Sequence, residues 1–192
     1  MAFWSTANVE PKRQFRWILL VNKIPQWVIK SVTKPTIETT SQAHKYFGYT
    51  YYYPGITTWN KVSVTLVDPV QPDSVATIAT ILRQSGFKPP VNENNLSAIT
   101  KAKATQAIGN VSINQVDAEG RPLETWTLNN PFITSADFGG SLAYDQETLT
   151  ELKIDIQYDW ATLDTRNFGS QDKKVGGVDP KSLTRWGSNP VE

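Results

Sequence analysis

The chain has 192 residues and a formal net charge of +1, and 39% of it is hydrophobic, with Trp 7, Tyr 7 and Phe 7 among them. That length is enough for one good core, and the near-zero charge argues against a protein that grips nucleic acid by neutralising phosphates, which needs a clear Lys/Arg excess. With no cysteine, disulfides, thiol nucleophiles and thiolate metal sites are excluded, which fits a reducing compartment.

Residues 1–12 read as an N-terminal arm whose aromatic pair, Phe3 and Trp4, is expected to dock on a neighbouring subunit. Neither Met1 to Ser5 nor the apolar run Trp17 to Val21 approaches the ~20 residues of a membrane helix, so no membrane insertion and no export signal are expected. Gln14 to Val21 is a predicted strand. Phe15, Trp17, Leu19 and Val21 line one face, and Ile18 and Leu20 make the other apolar too, the pattern of a strand buried on both sides. Asn22-Lys23-Ile24-Pro25 reads as a turn and Trp27 to Thr33 as a returning strand. Residues 39–58 read as a long loop, polar at Thr39 to Gln42 and then aromatic at Tyr46, Phe47, Tyr49, Tyr51, Tyr52 and Tyr53, with Pro54-Gly55 behind. Val62, Val64 and Leu66 alternate with Ser63 and Thr65 as a further strand.

Asp73 offers an N-cap, and Val75, Ile78, Ala79 and Leu82 follow at helical spacing until Gly86 and Pro89-Pro90 end the helix. The Ala- and Lys-containing piece before residue 106 is either a second helix or a loop. Ile108 to Asp117 and Leu123 to Leu128 bracket a short turn and form a hairpin, with Val111 and Ile113 sharing a core face with Trp126 and Leu128. Residues 129–148 read as a connection. From Thr150 to Trp160 the chain alternates without a miss. Leu152, Ile154, Ile156, Tyr158 and Trp160 form a core face, and Glu151, Lys153, Asp155, Gln157 and Asp159 a wet one. Residues 165–192 read as a loosely structured extension docking through Leu183 and Trp186. The fold class is mainly β (α+β), an antiparallel β-barrel or sandwich with one flanking helix, and residues 13–164 form its domain.

Catalytic chemistry finds little support. His44 is the one histidine, so neither a His-based triad nor a metal site is expected. Glu151, Asp155 and Asp159 recur every fourth residue, about 13 Å apart on a strand, too far for acid and base on one glycosidic bond. No glycine-rich phosphate cradle is present. No cofactor, no metal and no enzymatic activity are expected. The tyrosine run fits an interface better than a stacking platform, because only Lys45 and Lys61 flank it.

Several pieces in order resemble the tail tube protein family of contractile-tailed bacteriophages, over roughly residues 12–161. They are Pro54-Gly55-Ile56 leading into Trp59 to Asp68, the helix from Ser74, and Trp126-Thr127-Leu128-Asn129-Asn130-Pro131-Phe132. Phe138-Gly139, Leu142-Ala143-Tyr144 and the closing Leu149 to Trp160 complete the set. The resemblance implies a structural virion protein, assembled in the host cytoplasm, whose homohexameric rings stack into the inner tail tube, with inner strands joined into one continuous barrel around a channel. The same fold serves tube proteins of secretion systems and injection particles. Implied partners are further copies of the chain, the tail sheath protein, baseplate and tail terminator proteins, and a tape measure protein and DNA passing through the lumen without tight binding. Glu151, Asp155 and Asp159 are then expected to face the lumen and repel phosphates. Phe3, Trp4, His44, Tyr46, Phe47, Tyr49, Tyr51, Tyr52, Tyr53 and Trp186 are expected at contacts between subunits or rings. Two other readings are a baseplate tube-initiator ring and a carbohydrate- or host-binding β-module built on Tyr46 to Tyr53. The extension after residue 164 and the Phe3-Trp4 arm depart from the family pattern.

Overall fold

A computed structural model describes residues 11–88 and 98–165 and the backbone of Arg185–Trp186. In chain order the strands are β1 (Trp17–Val21), β2 (Ile29–Val32, entered through a 3-10 turn at Gln26–Val28), β3 (Ile37–Tyr46), β4 (Tyr49–Trp59) and β5 (Val62–Val67). Two helices follow, α1 (Ser74–Gln84) and α2 (Lys101–Ile108). The remaining strands are β6 (Val111–Val116), β7 (Pro122–Asn129), β8 (Phe132–Asp137), β9 (Glu151–Gln157), β10 (Trp160–Asp164) and β11 (Arg185–Trp186). They make two main sheets and a separate ribbon. Sheet A runs β1-β6-β7-β10-β11, sheet B runs β2-β5-β9-β8, and β3 pairs only with β4. All pairings are antiparallel.

Period-two patterning puts one face of each main sheet into a shared core. From sheet B come Val62, Val64, Leu66, Leu152, Ile154 and Ile156; from sheet A come Leu19, Val111, Ile113, Leu128 and Ala161. The expected cross-strand partners meet, Val111 opposite Leu128 and Ile113 opposite Trp126. The α1 helix starts at its expected cap, where Asp73 Oδ1 accepts from Ala76 N at 2.8 Å, and buries Ile78 and Ile81. The Ala- and Lys-containing piece is a second helix, α2, capped by Thr100, so two helices rather than one flank the sheets.

Four expectations are corrected. The β1 strand lies at the edge of sheet A, so only its Leu19 and Val21 face is buried, while Leu20 is exposed. The long loop is a ribbon, because Thr and Tyr favour extended backbone even without a core to cover. The connection after Asn129 contains β8, an edge strand whose bulge between Ile133 and Ser135 breaks the alternation. Finally, the strand from Thr150 to Trp160 is two strands. Its buried face holds through Leu152, Ile154, Ile156 and Tyr158, then the chain leaves sheet B and re-enters sheet A as β10, where Ala161 turns inward and Trp160 outward.

The β7-to-β8 step also passes between sheets, and the two crossings are tied together. Asp159 N donates to Asn129 O at 3.0 Å. Asn130, at φ 53 in the left-handed region that Asn tolerates, donates through Nδ2 to Asp159 Oδ2 at 2.7 Å. Lys101 Nζ, from the start of α2, donates to both Asp159 oxygens at 2.8 and 2.6 Å. The hydrogen bonds from Lys101 and Asn130 lower the Asp159 pKa.

Glu124 is a second staple. It sits on the core parity of β7, opposite Gln115 on β6, and both are buried. Lys12 from the N-terminal side and Lys34 from the exit of β2 both form ion pairs with it. Lys34 Nζ also donates to Gln115 Oε1 at 2.6 Å, and Trp126 Nε1 donates to Glu124 Oε1 at 3.2 Å. Burial alone would raise this carboxyl, but hydrogen bonds and charge from the two lysines outweigh it and hold the pKa at about 2. A buried carboxylate is stable only when paired in this way.

Candidate functional site

The β3–β4 ribbon is built to be seen from outside. Every residue of β3, and every residue of β4 except Trp59, is exposed. Its tip is the two-residue turn Phe47-Gly48, with φ of 49 and 79, the two positive values of a type I′ hairpin turn. The register pairs Tyr46 with Tyr49, His44 with Tyr51 and Gln42 with Tyr53, while Tyr52 pairs with Ala43. Opposed residues share a face, so Tyr46, Tyr49, His44, Tyr51 and Tyr53 make one aromatic face and Tyr52 lies on the other. The Tyr46 and Phe47 rings meet edge to face at 5.1 Å.

Lower down, β4 carries an extra residue around Gly55. Thr40 Oγ1 accepts from Ile56 N at 2.9 Å, and a Cβ on Gly55 would stand 2.4 Å from that same oxygen. Glycine is therefore required by close approach, and the bulge twists the ribbon. At the root, Asn60 N donates to Thr36 O at 2.9 Å, and its side chain donates to Thr36 Oγ1 and Glu38 Oε1. Trp59 packs on buried Tyr158 with ring centroids 6.0 Å apart, and burial pushes the Tyr158 hydroxyl up to about 12. Thr33 N donates to Ser63 O at 3.0 Å, and Ser63 N donates to Thr33 Oγ1 at 2.8 Å. The ribbon is thus the β2–β5 pair of sheet B continued outward.

The expected lumen carboxylates do not form one row. Glu151 and Asp155 share the outer face of β9 with Lys153; Glu151 forms an ion pair with Lys30, and Asp155 accepts from Ser63 Oγ at 2.6 Å. Asp159 lies beyond the end of β9, in the crossing between sheets. The β9 strand itself is central, paired on both sides by β5 and β8, so it offers no edge. Phe3, Trp4 and Leu183 lie outside the described residues. Trp186 joins sheet A through its backbone, opposite Leu163. Sequence reasoning gave no surface role to the apolar side chains Trp27, Ile56, Leu142 and Leu149, which are all exposed.

Among the described residues, no group of three or more His, Cys, Asp or Glu side chains could hold a metal. Among those residues, too, no helix is long and apolar enough to cross a membrane.

The fold is shared with chains of contractile injection systems. A chain of the anti-feeding prophage cap, a tube terminating cap, aligns over 86% of this chain and 99% of its own length, with a TM-score of 0.60 at 19% identity. A chain of the sheath/tube terminator of the extracellular contractile injection system PVC covers 82% and 99%, with a TM-score of 0.59 at 18% identity. A chain of the anti-feeding prophage baseplate covers 83% and 99%, with a TM-score of 0.58 at 13% identity. No family model matches the sequence, and no curated protein matches it.

Proposed function

We propose that this chain is a non-catalytic structural subunit of a contractile tail or injection particle, forming a ring of the inner tube through which cargo passes. The observation that carries the reading is the exposed aromatic ribbon rooted in sheet B. A chain gains little by folding such a ribbon for itself, because exposed aromatic surface of this kind marks a partner site.

Sheet B suits the ring wall on three counts. Its four strands alternate in direction, so β2 of a second copy placed beside β8 continues the antiparallel order. Bulges in its pairing beside Lys30 and Thr134 bend both edge strands, and closure into a barrel needs such curvature. The ribbon also extends along the strand direction of β2 and β5, which carries it out of one ring toward the next. Glu151 and Asp155 then face the channel beside Lys30 and Lys153, a wall of mixed charge that holds nucleic acid weakly. Asp159 serves the sheet crossing instead. Six copies per ring, and sheath, baseplate, terminator and tape measure partners, follow from the resemblance to tail tube proteins.

Deleting residues 44–53 removes the aromatic tip and leaves both main sheets intact. The expected outcome is a folded subunit that makes no stacked tubes by negative-stain microscopy; normal tubes from the deletion would refute the proposal. A baseplate initiator or a terminating cap would share the ring contacts and differ in stopping after one or a few rings, so tube length separates these readings. A carbohydrate-binding module would remain monomeric and bind glycans through the same tyrosines.

A further inference from the structure

Both main sheets contain the same hazard. The four strands β1-β6-β7-β10 of sheet A alternate in direction just as the four of sheet B do. A second copy's β1 placed beside β10 would therefore continue sheet A antiparallel. Neither edge strand carries a bulge, and the one charged residue in the two strands is Asp164 at the end of β10. The β1 strand reads Trp17-Ile18-Leu19-Leu20-Val21, without charge, and its register against β6 is unbroken. The β10 strand pairs with β7 in unbroken register from Trp160 to Asp164. Leu20 and Trp160 are both exposed on the outer face of sheet A, one at each edge. Regular edges that present exposed apolar side chains are open to pairing with other chains unless they are covered.

The chain covers one of them itself. The β11 strand returns to pair antiparallel with β10, Trp186 opposite Leu163 and Arg185 opposite Asp164. It takes the position and the direction that an incoming β1 would take. With β11 in place, sheet A has five strands among the described residues, and a second copy's β1 in the same orientation would meet β11 parallel. Parallel pairing is the weaker kind per residue.

We propose that the segment Arg185–Trp186 is an edge guard that denies β10 to the β1 strand of a second copy and so leaves sheet B as the sheet through which copies join. The occupant it excludes is another copy of this chain. The choice of sheet B rests on the ring reading above; the guarding of β10 against β1 does not.

The test uses the full chain. Trp186→Pro removes a backbone N–H and fixes φ at about −65°, away from the roughly −140° of antiparallel strands, which disfavours the pairing with Leu163. Light scattering on a size-exclusion column is expected to show larger species than the wild type, at severalfold lower protein concentration. Leu20→Lys, which places a charge on the incoming edge, is expected to return the double variant to the wild-type distribution. Identical distributions for wild type and Trp186→Pro overturn the guard, as does a shift that Leu20→Lys leaves in place. A second variant does not depend on releasing the segment. Asp164→Cys with Arg185→Cys places two cysteines at cross-strand positions in a chain that has no others, within the ~4.4–6.8 Å Cα separation that disulfides accept. The oxidised form is expected to assemble as the reduced form does. Assembly blocked by oxidation overturns the guard, because β11 would then occupy the joining edge itself. Wild-type chains that stay monomeric while Trp186→Pro associates and Leu20→Lys reverses it would sink the ring reading and leave the guard standing.

Discussion

Glu124 shows how one side chain can hold three parts of a chain. It receives Lys12 from the N-terminal side and Lys34 from the strand exit that leads into the ribbon, while sitting on sheet A. Its carboxyl lies at about 2, below the 4.5 of the free group. A depressed folded-state value means the stabilisation is complete above pH 4.5 and is lost as pH falls toward 2. Half-exposed lysines reduce its size to about 1–3 kcal/mol. Glu124→Gln is expected to flatten the pH dependence of urea midpoints in that window and to lower the midpoint at pH 7. An unchanged pH profile would show that the staple contributes nothing. The sequence carried the signal, since Glu124 and Gln115 fall on the same parity as Trp126 and Ile113, and a buried acid requires partners. Which lysines those partners are depends on three distant segments meeting, which no local pattern encodes. Phe47 is the second telling residue. It holds a positive φ of 49 that costs a bulky residue about 1 kcal/mol, where Asn is the favoured choice before Gly. Phe47→Asn is expected to leave amide protection in the ribbon equal or higher while reducing tube growth. A loss of ribbon protection would place Phe47 in folding rather than in assembly.

At the scale of elements, the legible strands were those with one wet and one dry face. β5, β6, β7 and β9 alternate because the core demands it; of their pairings only the β6–β7 hairpin was legible, because its strands are adjacent in the chain. β3 and β4 bury neither face, so period two had nothing to mark; only the tyrosines and threonines hinted at extended backbone. β8 was lost to its bulge. The false continuation from Tyr158 to Trp160 arose because the polar–apolar rhythm persisted while the chain changed sheets, and rhythm alone does not report a corner. The aromatic tip was readable as a cluster of tyrosines, but its rooting in sheet B was not. The Gly55 bulge offers a direct check on that root. Gly55→Ala forces Thr40 Oγ1 away from Ile56 N, and faster hydrogen exchange is expected at Ile56 and its neighbours, with sheet B unaffected. Unaltered exchange would mean that the bulge absorbs a methyl group.

Stability across the whole molecule is expected to be uneven. β9 is central to sheet B, and its Leu152, Ile154 and Ile156 are buried; the ribbon has one partner strand and no cover. Native-state hydrogen exchange should therefore find global opening at β9 and low-cost local opening from Tyr46 to Tyr53. Uniform protection across both regions in the isolated subunit would contradict the exposed ribbon. In a ring, protection should rise at the tip first.

The ribbon's place in the chain has a consequence for synthesis. Residues 37–59 pair only with each other, and a hairpin of adjacent strands closes within microseconds. β1 waits for β6, and β5 waits for β9, so neither main sheet can close until more than half the chain has left the ribosome. The nascent protein thus displays its tyrosines while its body is still unfolded, when exposed aromatic surface is most prone to wrong encounters. Slow translation after residue 59 would lengthen that window, and a chaperone bound at the tip would shelter it.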